Sequence, residues 1–164
     1  MADPFSLVAA TAGLIQQLLQ CGNYIQTILE RAGTLDEDIL GLTHEIATLV
    51  SVNESLQSAY EAEKNRVTGT SLADRRRIES LWQNVGTLVK DCHKTVEELE
   101  NVLLEIIGKT PSTTSRLGDR LGGKIDHLKK SMRMEKKHDE VKNIQMRLLN
   151  YQNSLQILLS ALSL

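Results

Sequence analysis

Aromatic residues are nearly missing from this chain: Phe5, Tyr24, Tyr60, Trp82 and Tyr151 are the whole set in 164 residues. Proline is rarer still, with Pro4 and Pro111 only. A sheet sandwich or barrel draws on frequent turn formers and on aromatics, so both shortages argue against one. They leave long uninterrupted stretches for helices. Cysteine is limited to Cys21 and Cys92, which form no motif and suit two small core residues in a reducing compartment. His44, His93, His127 and His138 stand alone, with no second His or Cys at metal-ligand spacing. Cys92 and His93 are sequence neighbours, and neighbours on a helix face different directions, so they form no nucleophile–base pair. Gly108-Lys109-Thr110 has the ending of a phosphate-binding loop but neither the upstream glycine nor the strand that such a loop needs. The expectation is a non-enzymatic protein without a cofactor or metal. The basic segment also lacks interleaved aromatics, which argues against single-stranded nucleic acid.

Charge is missing from one place in particular. Between Asp3 and Glu30 the only ionisable side chains are Cys21 and Tyr24. No Lys or Arg precedes the apolar run, so it is not a secretory signal despite Ala10-Thr11-Ala12, and the chain reads as cytosolic. Asp3-Pro4 can open a helix. Leu7, Leu14, Leu18, Cys21, Ile25 and Ile28 then fall on one stripe, with Val8, Ile15 and Leu19 beside it and Gln16, Gln17, Gln20, Asn23 and Gln26 as an uncharged polar face. Ala9 and Gly13 form a small-xxx-small pair that lets another backbone approach. Such a segment is either the buried centre of a bundle or a membrane segment held in reserve. The apolar run Phe5 to Ile15 is short for a spanning helix, whereas residues 4–29 could reach across about 30 Å of hydrocarbon at a cost.

What remains reads as further helices. Gly33 ends the first, and Thr34 with Glu37 makes a capping box for the second, whose stripe is Ile39, Leu42, Ile46, Leu49, Asn53, Leu56 and Tyr60. Asn53 on that stripe is a hydrogen-bonded register residue. Residues 67–73 read as a loop. Asp74 starts the third and longest helix, with Ile78, Leu81, Val85, Leu88, Cys92, Thr95, Leu99, Val102 and Ile106 at heptad spacing and Trp82 just off the stripe. Arg75, Arg76 and Arg77 crowd its first turn, where the helix dipole disfavours them. Gly108 to Ser115 breaks the chain. A short basic amphipathic helix follows, interrupted by Gly122-Gly123, and then a last helix through Val141, Ile144, Leu148, Tyr151, Leu155, Leu158 and Leu162. The expected fold is therefore all-α, a single domain over residues 1–164: a bundle of four main helices plus a short basic one. The apolar, uncapped end suggests the N-terminal piece of a longer protein.

The charge is divided. Residues 1–108 carry 8 basic and 16 acidic groups, and residues 109–164 carry 11 basic and 5 acidic ones. Lys124, Lys129, Lys130, Arg133, Lys136 and Lys137 lie in the basic part, with Leu121, Ile125, Leu128 and Met132 at helical spacing. Two readings stay open: a solvated face, or contact with anionic headgroups at up to about 1 kcal/mol per residue.

The opening Met1-Ala-Asp-Pro-Phe-Ser, followed by small and apolar residues around Gly13, resembles the start of the fungal N-terminal domain of STAND proteins, called HeLo-like or HELL. The closing segment is also similar: Lys129-Lys130-Ser-Met-Arg-Met-Glu-Lys-Lys, then Ser154-Leu-Gln-Ile-Leu-Leu-Ser-Ala-Leu. Gly122-Gly123 departs from the family, whose members often carry an aromatic ahead of the lysines. The resemblance extends to the HeLo domain of fungal incompatibility proteins and to the bundle that heads mixed-lineage kinase domain-like protein. It implies a cell-death or immune effector domain, cytoplasmic at rest and at the plasma membrane when activated. Such a domain self-associates on activation, answers to downstream domains of the same chain and meets anionic membrane lipids. The membrane-inserting part would be Phe5, Leu7, Val8, Ala9, Gly13, Leu14, Ile15, Leu18 and Leu19. The alternative is an adaptor or scaffold bundle, binding other proteins with its first helix permanently buried.

Overall fold

A computed structural model describes residues 4–32, 37–66, 71–108 and 119–163; the side chains of residues 4, 5, 32 and 119–134 lie outside what is described. The described residues form four helices: α1 (Pro4–Ala32), α2 (Glu37–Arg66), α3 (Leu72–Ile107) and α4 (Asp119–Leu162), with no strand among them. The expected all-α bundle is the fold. Gly33 and the Thr34–Glu37 capping box fall in or against residues outside the described set.

The apolar stripes explain the packing. Leu7, Leu14, Leu18, Cys21, Ile25 and Ile28 of α1 are all buried, as are Ile39, Leu42, Ile46, Leu49 and Leu56 of α2. From α4, Val141, Ile144, Leu148 and Leu155 complete one continuous core. In α3 the buried set is Trp82, Val85, Val89, Cys92, Thr95, Val96, Leu99, Val102, Leu103 and Ile106. The heptad reading placed Ile78, Leu81 and Leu88 there, but these are only half-buried, and the inward face moves to Trp82 and Val89. A straight helix drifts about 20° per heptad against a 3.5-residue repeat, which moves the buried position by one residue along a helix this long. Trp82 meets Tyr60 of α2 edge to face, ring centroids 5.0 Å apart.

Each helix packs against two others: α1 on α2 and α3, and α4 on α2 and α3, while α1 and α4 touch only sparingly across the diagonal. Side-chain pairs give the directions. Leu7 lies by Gly86 and Cys21 by Val96, so α1 and α3 run parallel. Glu105 meets Lys137 and Glu98 meets Arg147, so α3 and α4 are antiparallel. Thr11 meets Gln57 and Asp38 meets His138, so α1 and α2 are antiparallel and α2 and α4 parallel. The chain thus runs up, down, up, down.

Two boundaries differ from the sequence reading. Helix α3 begins at Leu72, not Asp74, because Ser71 caps it: its hydroxyl accepts from the Asp74 amide at 3.2 Å and donates to the Asp74 carboxylate at 2.5 Å. At the other end Gly108 adopts a positive φ of 76°, and its N–H closes the last turn on the Leu104 carbonyl at 3.1 Å. The separate short basic helix is also corrected. Residues 119–162 are one helix of 44 residues, longer than the 36 of α3. Gly122 and Gly123 weaken a helix by about 1 kcal/mol each relative to alanine but, unlike proline, remove no hydrogen bond from it. Lys137 sits opposite Glu105, near the end of α3, and His138 opposite Asp38, near the start of α2. The stretch of α4 before them therefore runs past the ends of both packing neighbours, by about 24 Å at 1.5 Å per residue.

Candidate functional site

The charge-free helix α1 divides its predicted insertion residues between two environments. Leu7, Leu14 and Leu18 point into the core, Val8 and Ile15 are half-buried, and Ala9 and Leu19 face solvent. Phe5 belongs to the helix, but its side chain lies outside the described ones. Among the described residues Gly13 has no neighbouring atom within 4 Å of a Cβ built on it, and Ala9 is exposed.

Polar side chains fasten α1 at three levels. Thr11 is buried on the stripe; its hydroxyl bonds the Leu7 and Val8 carbonyls at 3.0 Å and accepts from Gln57 Nε2 of α2, also at 3.0 Å. Gln17 Nε2 donates to Glu100 of α3 at 3.0 Å. Cys21 Sγ lies 3.9 Å from the Val96 carbonyl oxygen as a weak donor. Burial, aided by the negative charge of Glu100, pushes the Cys21 thiol up to about 12. Burial alone takes the Cys92 thiol to about 12 as well. Both cysteines are free, neutral and unreactive in this setting. Sequence reasoning missed Thr11 and its partner, although Thr11 stands at Leu7+4 and Leu14−3 and so falls on the inward face by spacing alone.

The basic residues are also divided. Lys124, Lys129, Lys130 and Arg133 belong to the overhanging part of α4, and their side chains lie outside the described ones. Lys136 is exposed. Lys137 is half-buried at the surface and paired, 2.7 Å from Glu105 and 2.8 Å from Glu140, and its amine is raised by those hydrogen bonds. Lower on the same face Arg147 pairs with Glu98 and donates to Thr95 Oγ1 at 2.9 Å. Arg147 holds the Glu98 carboxyl below its ordinary range, chiefly through that hydrogen bond. The acidic end of α3 thus takes up part of the positive charge of α4.

Among the described residues no cluster of three His, Cys, Asp or Glu could hold a metal ion. A groove of about 340 Å³ between α1 and α3 is lined by Ala10, Val89, Lys90, Asp91, His93 and Glu97, among others. It mixes exposed charges of both signs, and His93 spends its Nε2 on Glu97 at 3.6 Å. Among the described residues no helix is long and apolar enough to cross a membrane. Comparison with known proteins finds no matching family model, no matching curated protein and no matching solved structure.

Proposed function

We propose that this chain is a cell-death or immune effector domain of the HeLo-like kind, which self-associates on activation and acts on the plasma membrane through α1. The observation that carries this reading is the position of α1. A helix without a charge from residue 4 to residue 29 forms one corner of a four-helix bundle, with its apolar stripe covered by α2 and α3. Its release would present Leu7, Leu14 and Leu18 to lipid. The overhanging third of α4, which holds Lys124, Lys129, Lys130 and Arg133, supplies the positive charge that would bring the domain to anionic headgroups. Gln16, Gln17 and Gln20 make a solitary α1 a poor span, since each amide is costly in hydrocarbon unless it is paired. Membrane action by an assembly, in which these amides pair or face water, follows from that.

A second reading rests on a different observation. Thr11–Gln57 and Gln17–Glu100 fasten α1 to its neighbours, as expected of an adaptor bundle whose first helix never leaves. Dye release from anionic and neutral liposomes, by the chain alone and fused to a forced oligomeriser, separates the two. The effector reading expects salt-sensitive binding to anionic vesicles and release that needs clustering. It also expects loss of release in Ile15→Glu, a half-buried site where circular dichroism can verify folding. A stable bundle that ignores anionic vesicles in every form would leave the adaptor reading.

A further inference from the structure

The last part of α4 is as short of charge as α1. From Asn143 to Leu164 the only formal charge is Arg147, which is occupied by Glu98. On its outer face Met146 is 61% exposed, Leu149 39% and Ile157 69%. Offsets of 3, 8 and 11 residues put these three on one stripe, about 16 Å long. Met146 and Ile157, the two most exposed, lie within about 20° of one another around the helix. Asn150 and Asn153 lie on the same face between Met146 and Ile157, so the face mixes apolar side chains with amides and carries no formal charge, which suits a contact with another uncharged face.

We infer that this stripe receives the outer face of α1 from a second copy of the chain, so that bundles join head to tail. Three observations select that occupant. Apolar knobs without charge need a partner face without charge, because an unpaired charge buried against them is costly. Residues 4–29 supply one, on the corner diagonally opposite α4. The shapes also fit: the α1 face presents Ala9, Ala12 and the open space beside Gly13, small enough to admit the Met146, Leu149 and Ile157 side chains, and Leu19 at 55% exposure adds an apolar contact. The lengths agree, since Ala9 to Leu19 spans about 15 Å. Gln16, Gln20 and Asn23 on one side and Asn150 and Asn153 on the other lie within the two faces, where their amides can exchange hydrogen bonds instead of being buried unpaired.

Two different faces on opposite corners give a heterologous interface, which propagates into a ring or an open array instead of closing as a dimer. A contact about 16 Å long across a helix about 10 Å wide buries a few hundred Å² a side, against roughly 800 Å² for a standard stable interface. One contact is therefore weak, and the array forms only when local concentration is raised. This inference rests on the proposed self-association but not on membrane action, and α1 stays packed in its own bundle throughout.

The test is sedimentation and light scattering of the whole chain, without lipid, over a concentration series into the millimolar range. The wild type is expected to grow past dimer. Leu19→Glu and Ile157→Glu, both at exposed positions, are expected to weaken association at least tenfold each while keeping the wild-type melting temperature; Met146→Glu provides a second α4 variant. An equimolar mixture of Leu19→Glu and Ile157→Glu retains one intact pair of faces and is expected to stop at a heterodimer. Loss with Ile157→Glu but not with Leu19→Glu would mean an isologous α4 pair and overturn the head-to-tail arrangement. Association indifferent to both substitutions would overturn the surface alone. A wild type that stays monomeric throughout would overturn the inference, whereas self-association on activation is refuted separately, by failure of the forced oligomeriser to produce release.

Discussion

The burial of α1 sets how hard it is to release, and Leu18→Ala measures it. Leu7, Leu14, Leu18, Cys21, Ile25 and Ile28 are each at most 6% exposed. At about 1.5–3 kcal/mol per buried side chain they represent on the order of 9–18 kcal/mol, an upper figure because the unfolded chain already buries part of this surface. This is a gross figure that the ordering of the helix offsets in large part. Burial along the whole stripe leads to the expectation that α1 belongs to the cooperative core and does not detach as a small local event. Leu18 is fully buried between helices, so truncation to alanine is expected to cost about 2–5 kcal/mol. With a urea m-value of about 2 kcal/mol/M, the midpoint falls by roughly 1–2.5 M in a single transition followed by circular dichroism. Native-state hydrogen exchange supplies the sharper readout. Core amides of α1 should open with the same free energy as those of α3 around Leu99, in wild type and variant alike. Exchange of α1 several kcal/mol below α3, or a midpoint shift under about 0.5 M, would refute the claim that α1 belongs to the cooperative core.

Other perturbations test single contacts. Thr11→Val keeps the shape but strips Gln57 of its acceptor, and a loss of about 0.5–1.5 kcal/mol is expected in the same urea titration. Ser71→Ala removes the α3 cap and should cost about 0.5–2 kcal/mol, with faster exchange confined to the first turn of α3. Cys21 and Cys92 should resist a thiol reagent at pH 8 until urea unfolds the chain. Their native pKa near 12 lies above the unfolded value, so only the unfolded state ionises as pH rises past about 9, and stability should fall from there toward pH 12. Glu98 has the opposite sign: its lowered carboxyl adds stability above the ordinary carboxylate range and loses it as pH falls through the native value. Glu98→Gln should abolish that acid limb, a small one of about 0.2–1 kcal/mol because the pair is exposed.

The inward stripes of α1 and α2 were legible because period alone decides which residues share a face, and both helices follow it without a break. The same period says nothing about what lies across the face. Nothing in the spacing of Thr11 or Gln17 points to Gln57 or Glu100, which lie 46 and 83 residues away. Distance in sequence also hid the pairing of Glu98 with Arg147, which joins the acidic and basic halves that composition had separated. The start of α3 was misplaced because Ser71 reads equally as loop or cap until its hydroxyl is seen on the Asp74 amide. The continuity of α4 was missed because a glycine pair weakens a helix without ending it, and only neighbouring structure decides which outcome wins. Ala9 and Gly13 read as a pair that lets another backbone approach, but spacing does not say on which face, and this bundle leaves Ala9 exposed and Gly13 without a close neighbour among the described residues.

The energetics of α1 and the two charge-free corners constrain one another. An equilibrium moves only by the difference in free energy with which a ligand meets its two states. Moving a two-state equilibrium from 1:99 to 99:1 already takes about 5.5 kcal/mol. Basic residues at an anionic surface contribute up to about 1 kcal/mol each. Lys137 and Arg147 give part of that up to Glu105, Glu140 and Glu98. Transfer of α1 to lipid returns the leucine and isoleucine burial but strands Gln16, Gln17 and Gln20, so insertion by one chain roughly cancels itself. Pairing those amides between chains removes the cost, and it requires neighbouring α1 helices at high local concentration before any of them leaves its bundle. A weak head-to-tail contact through the outer faces of α1 and α4 provides that concentration without disturbing the core. In this scheme assembly precedes release, and a bundle too stable to open alone opens only in company.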